Sequence, residues 1–227
     1  MDVSPLLLSL KVAFLSTIFT FVLGILAARL TVTMRKGKGF VDGLFTLPLV
    51  LPPTMVGFFL LVIFGKNGLL GGFLKAVGVS VVFTWVGAVI ASTVVAFPLM
   101  YRTARGAFEQ LDENLLHAGR TLGMTEPALF LRVILPNSIP SIMAGAVLAF
   151  ARALGEFGAT IMLAGNIPGR TQTVSVAIYT AVQAGNWELA YKWMLIIFTI
   201  SFITIIAMNA WTRRASSFGK GGSRAWR

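Results

Sequence analysis

The chain has 227 residues, of which 56% are hydrophobic and only 12% are charged, and its mean hydropathy is +0.84. Soluble domains carry about 25% charged residues, so the composition excludes an ordinary soluble domain. Several apolar runs also exceed the roughly 20 residues that span a bilayer, which indicates an integral membrane protein. The net charge of +11 is better explained by basic loops on one side of a membrane than by nucleic-acid binding, because the aromatic residues lie in the apolar runs.

The apolar runs predict five membrane spans. In chain order they cover about residues 6–30, 40–64, 81–101, 138–163 and 187–211. Short helices at the membrane surface are predicted at 73–78 and 174–182. The fold class is therefore an all-α integral membrane protein with five transmembrane helices. A single transmembrane domain is predicted at residues 1–215, followed by a basic disordered tail at 216–227.

The second span contains LPLVLPP, residues 47–53, with prolines at 48, 52 and 53. Proline removes a backbone hydrogen bond and should bend or break the helix. Within a bilayer such a break is tolerated only where protein or a water-lined cavity covers the freed backbone groups. Two interpretations stay open: Pro52 and Pro53 line a transport pathway, or the kink serves packing between helices.

The basic residues set the orientation, because loops on the cytoplasmic side carry the excess of lysine and arginine. The opposite loops hold only Lys66, Lys75 and Arg170, with Lys192 near the rim. The N-terminus is therefore predicted outside and the C-terminus inside. The basic residues placed in the cytoplasm are Arg35, Lys36, Lys38, Arg102, Arg105, Arg120, Arg132, Arg213, Arg214, Lys220, Arg224 and Arg227.

A polar insert at about residues 106–136 separates the third and fourth spans. Asp112 is a suitable N-cap, and Gly123 is a C-terminal stop. Thr125 begins a second short helix, which Pro136 is expected to end. The insert therefore predicts two short amphipathic helices on the cytoplasmic side. They either lie on lipid headgroups or dock into the groove of a cytoplasmic partner.

The segment HAGRTLG, followed after nine residues by VILP, resembles the cytoplasmic signature of ATP-binding-cassette (ABC) importer permeases, E-A-A-x-x-L-G and then I-x-L-P. The resemblance implies the five-span ABC importer permease fold (MetI-like), with cytoplasmic coupling helices that sit in a groove of the ATPase subunit. The residues expected to couple to that ATPase are Glu113, Leu116, His117, Ala118, Gly119, Arg120, Leu122, Gly123 and Pro136.

Two positions depart from that signature. His117 stands where the pattern has glutamate, and it is either a pH-responsive contact or simply a solvated side chain. Gly119 stands where the pattern has its second alanine. It lowers helix propensity by about 1 kcal/mol relative to alanine, and we expect it to permit close approach to a partner.

Arg152 and Glu156 lie four residues apart within the fourth span, which predicts that they share one helix face. Ionisable residues inside a membrane normally face the bundle interior or a water-filled cavity. Two interpretations stay open for this pair. Arg152 belongs to an anion pathway and Glu156 holds it when no substrate is present, or the two residues neutralise each other and fix helix packing.

The stretch FARALGEFGATIMLAGNIPGRTQT at 150–173, with those at 47–65 and 96–100, resembles molybdate-importer permeases, and the resemblance covers about residues 6–212. It implies a homodimeric permease in a bacterial or archaeal cell membrane, with two copies of a cytoplasmic ABC ATPase and one external oxyanion-binding protein. ATP and magnesium would bind the ATPase. We assign no catalytic residue, cofactor or metal ligand to this chain, which has no cysteine, one histidine and no phosphate-binding G-x-x-x-x-G-K-[ST] pattern.

Other functions fit the same composition less well. Within the class, the substrate is molybdate or its mimic tungstate, and the alternatives are a tungstate or a sulfate/thiosulfate importer. From a different class, a stand-alone secondary anion transporter would also use proline-broken spans, although Glu156 is the only convincing candidate for an ion-coupling carboxylate. A membrane scaffold would leave Arg152 and Glu156 unexplained.

Overall fold

The computed structural model describes residues 2–78 and 80–220, and the regular structure within them is helical throughout. α11 includes residues 216–220, which the sequence analysis assigns to a disordered tail; the rest of that tail, 221–227, lies outside the described residues. The helices are α1 (Ser4–Thr33), α2 (Lys38–Val50), α3 (Pro53–Phe64), α4 (Gly71–Ala76), α5 (Trp85–Glu109), α6 (Glu113–Thr121), α7 (Glu126–Leu129), a π-helical turn (Phe130–Ile134), α8 (Leu135–Leu154), α9 (Gly158–Ala164), α10 (Val174–Gln183) and α11 (Trp187–Lys220).

α5 is the central helix of the bundle, because α1, α8 and α9 all pack against it. Its buried side includes small residues such as Ala91, Ala96 and Ala104, which let membrane helices approach closely. Between α1 and α5, the Ser16 hydroxyl donates a hydrogen bond to the Val89 carbonyl oxygen at 3.0 Å. Close packing and this polar contact together fix α1 against α5.

The prolines break the second apolar run, as predicted. α2 and α3 meet at an angle of 111°. Leu51 is extended (φ −71°, ψ 142°), as expected for a residue before proline, and Pro53 begins α3, where a missing N–H leaves no hydrogen bond unmade. Within the described residues, four helices are long and apolar enough to cross a membrane, and α2 with α3 makes a fifth if the bent pair is one span.

The fourth span is not one helix over residues 138–163, so that prediction was wrong. α8 ends at Leu154 and α9 begins at Gly158, and the residues between them are not helical. The fourth apolar run is therefore broken like the second. Composition does not show this break, because the run stays apolar on both sides of it.

The two broken spans pack against each other through glycines. A Cβ atom on Gly57 of α3 would lie 2.7 Å from the Cα atom of Ala159 in α9. One on Gly158 would lie 3.0 Å from the backbone nitrogen of Thr54. Side chains at these positions would push the helices apart, so the absence of a Cβ atom allows this approach. The first turns of α3 and α9 therefore lie side by side.

The two short helices predicted at the membrane surface are present as α4 and α10, but α10 is partly in the core. Val174 is fully buried and Ala177 nearly so, and both pack with Trp193 of α11. The backbone N–H of Val174 donates to the Ser9 hydroxyl of α1 at 2.8 Å. α10 therefore joins the first and last spans.

Replacing Gly57 with alanine should destabilise the protein, because the new methyl group must displace backbone atoms of Ala159. We expect a loss of roughly 1–3 kcal/mol, measured as a lower Tm of the purified protein in detergent. Gly43→Ala in α2 is the matched control: apart from its own stretch of helix backbone, no atom lies within 4 Å of its Cβ position, so its Tm should not fall. An unchanged Tm for Gly57→Ala would contradict the close α3–α9 contact.

Candidate functional site

The polar insert at about residues 106–136 forms the helical hairpin that Asp112 and Gly123 predict. The Asp112 carboxylate accepts a hydrogen bond from the backbone N–H of Asn114 at 2.9 Å and so caps α6. Gly123 follows α6 with φ +76°, a left-handed conformation that favours glycine. Thr125 precedes α7, although its side chain makes no capping hydrogen bond. Local sequence signals thus define both helices of the hairpin.

Gly119 is the point where α6 crosses α7. It is buried, and a Cβ atom there would lie 2.5 Å from Cδ1 of Leu129, a side chain that is itself fully buried. Its carbonyl oxygen accepts from the N–H of Met124 at 3.1 Å. The sequence predicts that Gly119 permits close approach to a partner. The close approach that the structure shows is to Leu129 of the same chain, and contact of Gly119 with a partner stays a prediction.

Most of the residues predicted to couple to the ATPase lie on the outer surface of the hairpin. Leu122 is 82% exposed and Leu115 is 42% exposed, so the hairpin presents apolar side chains outside its own small core. Leu116 is half-buried. The other predicted coupling residues that are exposed are Glu113, His117, Ala118, Arg120, Gly123 and Pro136.

Arg120 is held by a contact within the hairpin. Its Nε donates to Oε1 of Glu126 at 2.8 Å, which links α6 to α7. This hydrogen bond lowers the pKa of the Glu126 carboxyl below its usual range and raises that of the Arg120 guanidinium. Both side chains are well exposed, and exposed pairs add little to stability, so the pair orients the two helices more than it stabilises them.

Pro136 does not end the second helix, contrary to the sequence prediction. The backbone passes without interruption from α7 through the π-helical turn at Phe130–Ile134 into α8. In that turn the N–H of Leu135 donates to the Phe130 carbonyl oxygen, five residues back. Pro136 falls in the first turn of α8, and the wider π turn before it relieves the clash that a proline ring makes with the preceding turn.

The end of the hairpin is anchored to the membrane helices by Phe130. Its ring packs edge-on against Phe108 of α5, with centroids 5.6 Å apart. The Arg29 guanidinium of α1 lies over the same ring, 4.0 Å from its centroid. Since Phe130 is also part of the path into α8, the hairpin is mechanically tied to α1, α5 and α8.

A polar cluster that the sequence analysis missed joins α2 to the end of α5. The Asp42 carboxylate accepts from the Tyr101 hydroxyl at 3.0 Å and forms an ion pair with Arg105. Glu109 accepts from Nε of Arg105 at 3.0 Å and from Nζ of Lys38 at 2.7 Å. The available signal was the set of charged residues at the ends of two apolar runs, but their pairing depends on the tertiary fold.

Arg152 and Glu156 lie together, but not on one helix as predicted. Arg152 is in the last turn of α8, and Glu156 lies in the break before α9. Nη1 of Arg152 donates to Oε2 of Glu156 at 2.5 Å. Oε1 of Glu156 accepts from the backbone N–H of Ala159 at 2.8 Å. One carboxylate therefore neutralises Arg152 and binds the first turn of α9.

The four candidate pathway residues meet at one junction. Pro53 follows Pro52 at the break before α3, and its Cβ atom lies 3.0 Å from the Cβ position of Gly158. Gly158 begins α9, two residues after Glu156. The breaks of the second and fourth spans are thus adjacent, with Arg152 at the edge of the junction. That these residues line a transport pathway stays a prediction.

The broken spans and the hairpin joined to them define a multi-pass membrane protein of the transporter class. The chain belongs to the family described as binding-protein-dependent transport system inner membrane components, which matches residues 20–216. It is therefore a transport subunit of a membrane system, and the permease resemblance found in the sequence is confirmed.

Known proteins resemble the chain over nearly its full length. A putative molybdenum transport system permease protein of Bacillus subtilis is 46% identical over 204 residues, covering 89% of this chain and 90% of its own. The molybdenum transport system permease protein ModB of Escherichia coli is 43% identical over 212 residues, covering 92% and 93%. A chain of the MetNI methionine ABC transporter in an inward-facing conformation matches with a TM-score of 0.74 at 18% identity, covering 93% and 94%. That structural likeness confirms the predicted fold.

The Gly119–Leu129 contact predicts non-additive effects of mutation. Gly119→Ala should destabilise the hairpin because its methyl group meets Leu129, and Leu129→Ala should cost about 2–5 kcal/mol by leaving a cavity. In the double variant the new methyl group occupies part of that cavity, so the loss should be smaller than the sum. Hydrogen exchange of residues 113–129 measures each loss. Strict additivity would contradict the contact.

Proposed function

We propose that this chain is the transmembrane permease subunit of an ATP-driven ABC importer that moves molybdate, with tungstate as a close mimic, into the cytoplasm. The observation that carries the proposal is the exposed α6–α7 hairpin, whose backbone continues through the π turn into α8, which has Arg152 in its last turn. The substrate is inferred from the two relatives named as molybdenum transport permeases, at 46% and 43% identity.

The proposal gives the hairpin a cytoplasmic ABC ATPase dimer as its partner. Exposed apolar side chains such as Leu122 and Leu115 suit helix-in-groove recognition, and a bilayer-bound hairpin would not need a rigid connection to α8. The ATPase binds ATP and magnesium, and this chain carries no cofactor. A second copy of the chain completes the pathway, an external oxyanion-binding protein delivers the substrate, and membrane lipid surrounds the spans.

The mechanism is alternating access driven by movement of the hairpins. ATP binding closes the ATPase dimer and draws the two hairpins toward each other. Because α7 and α8 form one helical path, and Phe130 contacts α1 and α5, this movement reaches the spans as a rigid displacement. The permease dimer then opens outward and receives the oxyanion. ATP hydrolysis releases the hairpins and returns the dimer to the inward-open state.

The alternatives differ in what they require of the hairpin. A stand-alone secondary anion transporter also uses broken spans, but it has no use for an exposed apolar hairpin tied to those spans. A tungstate or sulfate/thiosulfate importer would use the hairpin in the same way and differ only in substrate. The transporter class and the substrate are therefore two separate questions.

Leu122→Asp should abolish binding of the ATPase, because it places a charge on the most exposed apolar side chain of the hairpin. Central interface residues contribute about 2 kcal/mol or more, so co-purification of the ATPase should fall at least about tenfold. Leu69→Asp is the matched control, since Leu69 is 91% exposed in a loop on the opposite side of the membrane. Equal co-purification of both variants with wild type would rule out this docking surface.

Transport in proteoliposomes tests the function and the substrate together. The permease, its ATPase and the external binding protein should take up molybdate only when ATP is present. Unlabelled tungstate should compete strongly and sulfate weakly. Uptake without the ATPase would support a secondary transporter, and preferential uptake of sulfate would overturn the substrate assignment while leaving the importer class intact.

A further inference from the structure

The ion pair at the α8–α9 break makes more polar contacts than helix packing requires. Both carboxylate oxygens of Glu156 are used, one by Arg152 at 2.5 Å and one by the N–H of Ala159 at 2.8 Å. Buried ion pairs are seldom more stabilising than apolar side chains of similar volume. A charged pair kept inside a membrane span therefore points to a role other than stability.

The side chains of Arg152 and Glu156 differ in solvent exposure. The Glu156 side chain is only 1% exposed, whereas that of Arg152 is 32% exposed. Arg152 is also the one basic residue of α8 and α9. The accessible member of the pair is thus a cation whose only paired anion, among the described residues, is a carboxylate of the same chain.

We infer that Arg152 is an anion-binding residue of the transport pathway and that Glu156 is its built-in counter-ion, which a tetrahedral oxyanion displaces as it passes. This inference rests on the proposed function. The guanidinium group presents planar N–H donors that match carboxylates and other oxyanions equally well. The Glu156 carboxylate therefore occupies the position that a transported oxyanion would take.

The helix break is what holds Glu156 in place. In a continuous α-helix the N–H of Ala159 would donate to the carbonyl oxygen of residue 155. It would then not be available to the side chain of Glu156. The break frees this donor for the carboxylate. The contacts of Gly57 and Gly158 between α3 and α9 in turn maintain the break, so they position Glu156 without contacting the substrate.

A counter-ion of this kind sets the affinity of the pathway for the transported oxyanion. An unpaired arginine inside a span would be costly and would bind a doubly charged oxyanion tightly. Transport needs each binding event to be weak enough for release. Because Glu156 competes for Arg152 at all times, the oxyanion binds only transiently and leaves when the carboxylate returns.

The test is binding of oxyanion to the nucleotide-free permease–ATPase complex in nanodiscs, without the external binding protein. Glu156→Gln keeps an oxygen acceptor for the Ala159 N–H but removes the competing charge. It should bind molybdate roughly tenfold more tightly than wild type, or better, by calorimetric titration. The gain should disappear in the Arg152→Gln/Glu156→Gln double variant.

The chain offers a matched control for this substitution. Glu188 forms another i,i+4 ion pair at 2.5 Å, with Lys192, but both side chains are more than half exposed. Glu188→Gln should leave molybdate binding unchanged. No gain from Glu156→Gln in a complex of unchanged Tm would overturn the inference, and so would a gain that survives the loss of Arg152.

A second measurement does not depend on the identity of the substrate. The chain has no cysteine, and Gly155→Cys fits the break because its Cβ position has only the Ala151 carbonyl oxygen nearby, at 3.7 Å. The ratio of its reaction rates with anionic and cationic methanethiosulfonate reagents reports the local charge. Adding Glu156→Gln should raise that ratio at least about fivefold. If Glu156→Gln fails to assemble, Glu156→Ala, which also removes the carboxylate charge, should shift the ratio in the same direction.

These results separate the inference from the proposed function. If the wild-type system imports molybdate but neither binding nor the thiol ratio responds to Glu156→Gln, Arg152 is not the anion site and the importer assignment stands. If no oxyanion is imported, the proposed function fails, and the displacement by an oxyanion fails with it. An unchanged thiol ratio in a well-assembled complex overturns the inference in either case.

Discussion

The structure depends on one constraint: backbone N–H and C=O groups inside a bilayer need hydrogen-bond partners from the protein. Two of the apolar runs are broken, and each break frees such groups. The breaks are tolerated because they cover each other. Gly57 and Gly158 let the first turns of α3 and α9 lie in contact, and the Glu156 carboxylate binds the freed N–H of Ala159. This pairing covers part of the backbone that the two breaks expose.

A single helical path connects the same junction to the α6–α7 hairpin. Gly119 and Leu129 close the hairpin on itself, and Phe130 fixes its end against α1 and α5. α8 then runs from the hairpin to Arg152. The ion pair of Asp42 and Arg105 fastens the N-terminal part of α2 to α5. The broken spans are thus held both at the junction of their breaks and at the end of α5 that contacts the hairpin.

The sequence predicted the features that depend on nearby residues. The caps at Asp112 and Gly123 and the proline break each act over a few positions, and a structure with these spans and this hairpin follows from them. It did not predict the break after Leu154, the burial of Gly119 or the path through Pro136. Each of these is decided by a contact with a distant element or by a change in helical register, which neither apolar periodicity nor four-residue spacing records.

The π-helical turn at Phe130–Ile134 has a consequence for the direction in which the hairpin faces. A π turn completes about one helical turn with roughly one residue more than an α-helical turn. The segment therefore holds an extra residue while α7 and α8 keep nearly the orientation that a regular α-helix would give them. Loss of one residue from the π turn would restore a regular α-helix and hardly turn the hairpin. Loss of one residue from the regular part of α8 would instead turn α6 and α7 by about 100° relative to the spans and change the direction in which Leu122 faces. Chain length is therefore under a tighter geometric constraint in the regular part of α8 than in the π turn.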